Sequence, residues 1–360
     1  MKYIGIDARL LFQTGVGTYL QNLLHYIHLY TPQDVTFTIY CLPSDASFVQ
    51  KEVPNSRIQT TTALWHSWNE QIAFLDCINK DNLDMMHFTY FGHPVLYRRK
   101  CISTVHDVTP LLFKTGKAST KNPFIYMAKQ SAFSYALKNQ VERSEAIITP
   151  TNTVKEQLTM VYGDSIKDKI TSIYEGVSYR LLFHGGEDKS LVRKPYILYV
   201  GNFYPHKNVQ LLIRAFAKSS SAYLLVLAGP HDYFLKRILD SLSIDEKKYI
   251  IVKDKLTLSE LATLYRHAEA LIHPSTSEGF GLPIVEAMHF GVPIIASHIP
   301  VFQELLGTSY YSFDPFEEVS IVQAIHTFEE EKDKKKNILG KEFSFSEMAR
   351  KTVDLYLKHA

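Results

Sequence analysis

The sequence predicts an α/β protein made of two doubly wound, Rossmann-like domains. Three observations carry that expectation. The chain has 360 residues, too many for one ordinary hydrophobic core and suited to two. Its second half alternates short apolar runs with stretches of helical spacing, as a parallel sheet covered on both faces requires. Its first half repeats the scheme less cleanly, and a stretch rich in glycine and charge, 179–194, lies between them.

In the second half, residues 196–200 (YILYV) form an apolar run closed by Gly201, and 209–217 repeats at helical spacing. Strands follow at 223–228 (YLLVLA), 249–252, 270–273 and 293–296. Helical stretches at 232–242, 258–267 and 283–290 alternate with them, and a short helix follows Pro300. In the first half the strands are 3–7, 35–41, 85–87, 101–106 and 146–149. A helix over 18–30 places Leu20, Leu23, Leu24 and Ile27 on one side. The expected division is 1–180, 194–342 and a last segment, 343–360, read as a helix crossing back to the first domain. The run 329–336 (EEEKDKKK) reads as a solvated helix end or loop.

Composition narrows the function. Hydrophobic residues make up 46% and charged residues 21%, so a globular chain is expected rather than a disordered one. A net charge of +2 argues against a general nucleic-acid binder. Three scattered cysteines, Cys41, Cys77 and Cys101, make neither a disulfide framework nor a cysteine zinc site and suit a reducing compartment. Asp7 and Arg9 come too early for a signal peptide, and no run of roughly 18 apolar residues occurs. A cytoplasmic protein is expected, with the inner face of a membrane as an alternative site of work.

The segment 277–288 (SEGFGLPIVEAM) carries the most chemistry. It joins an apolar strand to a helix whose start is marked by Pro283. Gly279 and Gly281 let backbone approach a ligand, and a helix start offers N–H groups and positive partial charge to an anion. In an open α/β sheet that place lies at the carboxyl ends of the strands, where ligands collect. Glu278 and Glu286 flank it and can accept hydrogen bonds from sugar or ribose hydroxyls. A plainer alternative is a tight glycine turn with Glu286 complementing the helix dipole.

Glu278 and Glu286, with the wording EGFGLPIVEAM followed by GVPIIAS, resemble the signature of glycosyltransferase family 4, whose fold is the two-domain GT-B. The resemblance covers nearly the whole chain. Residues 199–216 (YVGNFYPHKNVQLLIRAF), 264–270 (LYRHAEA) and 345–356 (FSEMARKTVDLY) read like the family's other landmarks, in order. It implies two domains facing each other across a cleft, the second binding a nucleotide sugar and the first an acceptor. It also implies a retaining transfer to a glycan or lipid-linked acceptor.

Residue by residue, the resemblance gives Glu286 the ribose hydroxyls and Glu278 the transferred sugar. The amides of Phe280, Gly281 and Leu282 would serve its hydroxyls and phosphate. Lys207, in the basic loop 201–207, would neutralise the β-phosphate as it leaves. Asn202 and His206 stand where the family commonly has an arginine, which leaves that loop less charged. His106-Asp107, in HDVTP after the strand at 101–105, resembles the family's histidine beside the sugar. Asp107 would help position the ring or the acceptor. His87 and His93 lack such support and read as structural. Gly15 and Gly17, before the first helix, could bring N–H groups to the phosphates or form a plain turn. They are not a dinucleotide fingerprint, because Leu20 occupies the third glycine's place.

Spacing places no pair of acids as nucleophile and acid, so same-face attack is expected, with the leaving phosphate taking the acceptor proton. The chain has no D-x-D and no ligand-spaced cluster, so neither metal nor cofactor is expected. The HDVTP and HKN pieces are most like the branch that includes mannosyltransferases of surface polysaccharides. GDP-mannose is therefore the first donor to consider, with UDP-glucose and UDP-N-acetylglucosamine open. Base recognition is expected in 253–256, where Asp254 replaces the usual glycine. Rivals are another GT-B activity, such as an epimerase or a phosphorylase, and a non-catalytic sugar-nucleotide-binding subunit. Residues 94–143 carry nine Lys or Arg (Arg98, Arg99, Lys100, Lys114, Lys117, Lys121, Lys129, Lys138, Arg143), interleaved with Phe124, Ile125, Met127, Phe133, Tyr135 and Leu137. Such a mixture suits an anionic membrane face or a lipid-diphosphate acceptor, and equally a solvated helix over an ordinary core.

Overall fold

The structure is a computed structural model. It describes residues 1–112, 123–184, 189–331, 335 and 337–360. The chain divides into two compact units, Met1–Glu175 with Ser344–Ala360, and Gly176–Phe343.

The first unit is built on a seven-stranded sheet in the order β3-β2-β1-β4-β5-β6-β7. Its strands are β1 Lys2–Asp7, β2 Val35–Cys41, β3 Arg57–Thr60, β4 Met85–Phe88, β5 Cys101–Thr104, β6 Ala146–Thr149 and β7 Ile170–Ser172. Every neighbouring pair is parallel. Strands β4, β5 and β6 are buried along their whole length, as their apolar runs require. Strands β3 and β7, at the two edges, were not anticipated. Arg57–Thr60 is half exposed and carries Arg57 and Gln59, and Ile170–Ser172 has three residues, so neither shows an apolar run.

The helix Thr14–Ile27 follows β1 and buries Leu20, Leu23, Leu24 and Ile27, the face expected from sequence. It begins four residues earlier than its hydrophobic spacing suggests. The helix Phe345–His359 belongs to this unit and packs on Thr14–Ile27. Its Tyr356 hydroxyl meets His87 Nδ1 at 2.6 Å, and Lys2 Nζ donates to the Leu357 carbonyl at 2.9 Å. His87 is thereby accounted for as a core residue: its Nε2 meets Thr104 Oγ1 at 2.8 Å, and burial pushes its ring down to about 3.

The second unit carries a six-stranded parallel sheet in the order β10-β9-β8-β11-β12-β13. These strands are β8 Tyr196–Val200, β9 Leu224–Ala228, β10 Ile250–Lys253, β11 Ala270–His273, β12 Ile294–Ser297 and β13 Tyr311–Phe313. Helices Val209–Lys218 and Glu318–Glu330 cover one face through Leu212, Ile213, Phe216, Ile321 and Ile325. Local signals start other helices: Asp232 accepts from the Phe234 and Leu235 amides, and Thr257 with Glu260 forms a capping box. In each sheet the strand order reverses once, between β1 and β4 and between β8 and β11. A doubly wound sheet opens a crevice at that point. No helix among the described residues is long and apolar enough to cross a membrane.

Candidate active site

Two loops leave the carboxyl ends of β8 and β11, the strands that flank the reversal in the second unit. The first, 201–207, ends in a 3-10 turn over Pro205–Lys207 and then Asn208, which takes a left-handed φ of 55°. That residue is held by its own side chain, Nδ2 donating to the Pro315 carbonyl at 2.6 Å. The second loop runs from His273 to Gly281. Thr276 stitches the two together: its amide and its hydroxyl both donate to the His206 carbonyl, at 2.8 and 3.2 Å.

That stitching sets Lys207 against Glu278. Lys207 Nζ donates to Glu278 Oε1 at 2.6 Å, with side chains 16% and 10% exposed. Burial alone would raise the carboxyl, but the Lys207 ammonium and His273 outweigh it and bring Glu278 down to about 2. It is a carboxylate at neutral pH. Asn202 and His206 share the loop with Lys207. The Asn202 carbonyl accepts from Tyr199 Oη, its Oδ1 lies 3.5 Å from the Tyr204 amide, and the His206 ring lies beside Tyr204.

After Glu278 the chain turns into the helix Leu282–His289. Gly279 continues the loop, and Phe280 is buried against Phe343 with ring centroids 6.2 Å apart. Gly281 caps the helix with φ 98°, and a Cβ there would come 2.9 Å from Phe302 Cε1. Conformation and space both demand glycine. Leu282 opens the helix, Pro283 follows without an N–H, and Ile284 donates to the Gly281 carbonyl at 2.9 Å. The start of a helix thus sits three residues beyond a carboxylate already matched by a lysine. One turn on, Glu286 Oε2 accepts from Tyr265 Oη at 2.6 Å, and Tyr265 stacks on Phe290 at 5.4 Å. Burial raises the Glu286 carboxyl and the Tyr265 bond partly offsets that.

In the first unit, His106 and Asp107 follow β5. His106 Nε2 lies 3.0 Å from the Thr89 carbonyl and Nδ1 lies 3.3 Å from Glu175 Oε1, with the Tyr19 ring edge-on at 4.8 Å. Asp107 serves its own turn, Oδ1 accepting from the Thr109 amide at 2.8 Å. Gly15 and Gly17 lie inside the first helical turn rather than in a loop before it. Gly17 N–H donates to the Gln13 carbonyl at 2.6 Å, so this amide is spent within the helix. A Cβ on Gly17 would meet the Leu11 carbonyl oxygen at 2.8 Å, which explains the residue by packing. Gly15 is exposed in that turn, where helical amides lack intrahelical acceptors.

Sequence reasoning missed a buried ion cluster beside His106. Arg9 grips Asp7 with Nε at 2.9 Å and Nη2 at 2.7 Å, and Nη2 also reaches Glu70 Oε1 at 2.8 Å. A charged pair directly after an apolar strand was the available signal. His273 and Tyr265 were missed as well, because each lies among apolar neighbours and looks like core. Of the basic stretch 94–143, Lys114, Lys117 and Lys121 lie outside the described residues, as do the side chains of Phe124, Ile125 and Lys129. Arg99 donates to the Asp81 carbonyl, Lys100 to the His359 carbonyl, and Lys138 pairs with Glu142 at 3.7 Å. Met127 and Tyr135 are exposed on the helix Pro123–Arg143, whereas Leu137 is core.

Comparison with known proteins agrees with the two-sheet fold. Residues 14–180 match the family described as Glycosyltransferase Family 4, and residues 187–342 match Glycosyl transferases group 1. The O-antigen chain mannosyltransferase RfbU of Salmonella typhimurium is 29% identical over 339 residues, covering 90% of each chain. The serotype-specific mannosyltransferase WbdA of Escherichia coli is 28% identical over 235 residues, 60% of this chain and 27% of that protein. Among solved structures, sucrose-phosphate synthase from Thermosynechococcus elongatus superposes with a TM-score of 0.76 at 16% identity, over 99% of each chain. Anabaena HepE, solved with UDP and glucose, gives 0.73 at 14% identity over the full length of both. Matched by two family descriptions over most of its length and built on these two parallel sheets, the chain belongs to glycosyltransferase family 4, enzymes of the GT-B fold.

Proposed function

We propose that the protein moves a hexose, mannose in the first instance, from a nucleoside-diphosphate sugar to a hydroxyl of a glycan or lipid-linked acceptor in surface-polysaccharide synthesis. One observation carries this reading: Lys207 and Glu278, drawn from separate loops at the sheet's reversal, meet at 2.6 Å beside the start of a helix. A cation and a helix start suit the diphosphate, and an ionised acid suits hydroxyl donors. The mannose assignment is supported by the likeness to RfbU and WbdA.

In this reading Lys207 and the amides around Phe280, Gly281 and Leu282 take the diphosphate, and Glu278 takes hydroxyls of the transferred sugar. Glu286, steadied by Tyr265, takes the ribose. The acceptor attacks on the face from which the phosphate departs, so configuration is retained, and the departing phosphate oxygen receives the acceptor proton. Lys207 and the helix start would offset the charge that develops there, the work a divalent ion does in other transferases. In the first unit, the acceptor domain of this reading, His106 is assigned to sugar and acceptor hydroxyls, with Asp107 shaping its turn.

A thermal-shift screen with GDP-, UDP- and ADP-sugars identifies the donor, because a ligand bound only by the folded state raises the melting point. Transfer to an acceptor with retention, read by NMR of the anomeric proton, is the expected result, and Glu278→Ala should abolish it. Undiminished transfer by that variant, or an inverted product, refutes the mechanism. A cytoplasmic location at the inner membrane face is tested by co-sedimentation with anionic vesicles. Absence of binding at every salt concentration refutes the membrane role.

A further inference from the structure

One buried nitrogen beside this pair has no task in the account above. His273 closes β11, is wholly buried, and packs between Tyr199 at 6.0 Å and Phe302 at 5.2 Å between ring centroids. Ser275 Oγ lies 3.2 Å from its Nδ1. Its Nε2 lies 3.7 Å from Glu278 Oε1, the same oxygen that Lys207 holds, and makes no hydrogen bond among the described residues. Leaving a buried ring nitrogen unsatisfied is costly, so its position calls for a reason.

The reason lies in the competing demands on Lys207. In the structure its ammonium serves Glu278. A diphosphate brings a larger charge to the same ammonium and draws it off, leaving Glu278 Oε1 without its shortest bond. A displacement of about 0.8 Å would then bring that oxygen to the usual N–H···O distance from His273 Nε2. With the Ser275 hydroxyl donating to Nδ1 the N–H is on Nε2, and this is the tautomer the inference assigns. Burial pushes the ring down to about 4, so it stays a neutral donor at pH 7.

We propose that His273 is a positioning residue: its Nε2–H takes over the Glu278 carboxylate when Lys207 turns to the donor's diphosphate, keeping Glu278 aimed at the sugar hydroxyls. The inference rests on the donor-site reading above and names the residue on which its loaded state depends.

Three substitutions test it. In His273→Gln the amide nitrogen falls near the place of Nε2, in His273→Asn near Nδ1, and His273→Phe fills the ring's volume among aromatic neighbours without a donor. Each is assayed for kcat and donor KM with the donor that supports turnover. Each is also tested for the melting-point shift given by GDP against GDP-mannose and by UDP against UDP-glucose. A hydrogen bond to a charged group formed only in the loaded state predicts that the Asn and Phe variants lose about 10- to 100-fold in kcat/KM for the donor. The Gln variant should stay within about 3-fold of the unaltered enzyme in that ratio. The nucleoside diphosphate should shift all three alike, and the extra shift given by the sugar should vanish in Asn and Phe. Retained kcat/KM in Asn and Phe overturns the proposal, as does a Gln variant that falls as far as Phe or a sugar increment that survives in all three. If neither nucleotide pair shifts the unaltered protein, the donor-site reading fails and takes the positioning role with it. Normal His273 variants beside a Lys207→Ala variant that has lost the diphosphate shift would leave the donor site standing and remove His273 alone.

Discussion

Breaking the Lys207–Glu278 pair from both sides gives the sharpest test of the site's electrostatics. Glu278 stands at about 2 against an ordinary 4.5. That gap favours the carboxylate over its neutral form by about 3 kcal/mol, and Lys207 is the largest favourable contributor. The sign follows from linkage. The folded value lies below the unfolded one, so this stabilisation is complete above about pH 4.5 and is lost as the pH falls toward 2. Lys207→Met, Glu278→Gln and the double variant, compared by urea denaturation at pH 7, should give a coupling energy of about 1–3 kcal/mol, the range for residues in direct contact. The double variant should be no less stable than either single one, since removing both partners strands no charge. For a unit of this size the single variants should melt about 6–12 °C lower. Repeating the cycle at pH 5.5 should give the same coupling, because both conditions lie above the titration window. A coupling below about 0.5 kcal/mol, the scale of exposed surface pairs, would refute the claim that this contact is formed and largely desolvated in solution.

Four further outcomes follow from individual contacts. Gly281→Ala meets both a left-handed φ and the Phe302 ring, so it should destabilise the second unit by about 1–3 kcal/mol and weaken the nucleotide-sugar melting shift; an unchanged shift would separate the helix start from the donor. Tyr265→Phe removes a buried hydrogen bond from Glu286 and should raise donor KM about tenfold with little change in kcat, whereas a pure kcat loss would contradict the ribose role. His87 sits at about 3, below its unfolded value, so the unfolded chain binds the extra proton. Stability should fall by up to about 1.4 kcal/mol for each pH unit below 6.5, and His87→Gln should flatten that slope on urea titration. Arg9→Leu strands Asp7 and Glu70 and should cost about 3–5 kcal/mol on the same measurement, a loss below 1 showing that the cluster is solvated.

The parts legible in sequence are those whose signal is local. Strand β8 and strand β11 are buried on both faces, so their apolar runs announce them, and Gly281 with Pro283 marks a helix start because each satisfies a backbone rule on its own. The edge strands Arg57–Thr60, Ile170–Ser172 and Tyr311–Phe313 went unread because they are short and the first of them stays half exposed. The meeting of Lys207 with Glu278 was beyond sequence for a different reason. Seventy-one positions separate them, and only the order that sets β8 beside β11, skipping β9 and β10, brings their loops together. Gly17 shows the converse failure. It reads as a loop glycine, yet its cause is the passage of the Leu11 carbonyl, a tertiary fact with no local trace. His273 is harder still, since in ALIHP it is indistinguishable from any buried strand residue.

The first unit reaches rigidity by another route. Asp7 ends β1 and Thr89 follows β4, so the two stand at that sheet's own reversal. Every arm of Arg9 is committed: to both Asp7 oxygens, to Glu70, to the Ala63 carbonyl at 3.2 Å, and through its face to the Phe74 ring at 3.7 Å. A buried cluster of this kind adds little net stability over an apolar packing of equal volume, so stability alone does not account for it. Geometry does. The Asp7 carbonyl, fixed beside that cluster, accepts from Thr89 Oγ1 at 2.5 Å, and the Thr89 carbonyl in turn meets His106 Nε2 at 3.0 Å. A side chain held through two successive carbonyls, with Glu175 at its other nitrogen, has its ring plane set before any substrate arrives. If His106 serves the sugar as proposed, the charge cluster acts on it by orientation, from residues that need never touch that sugar.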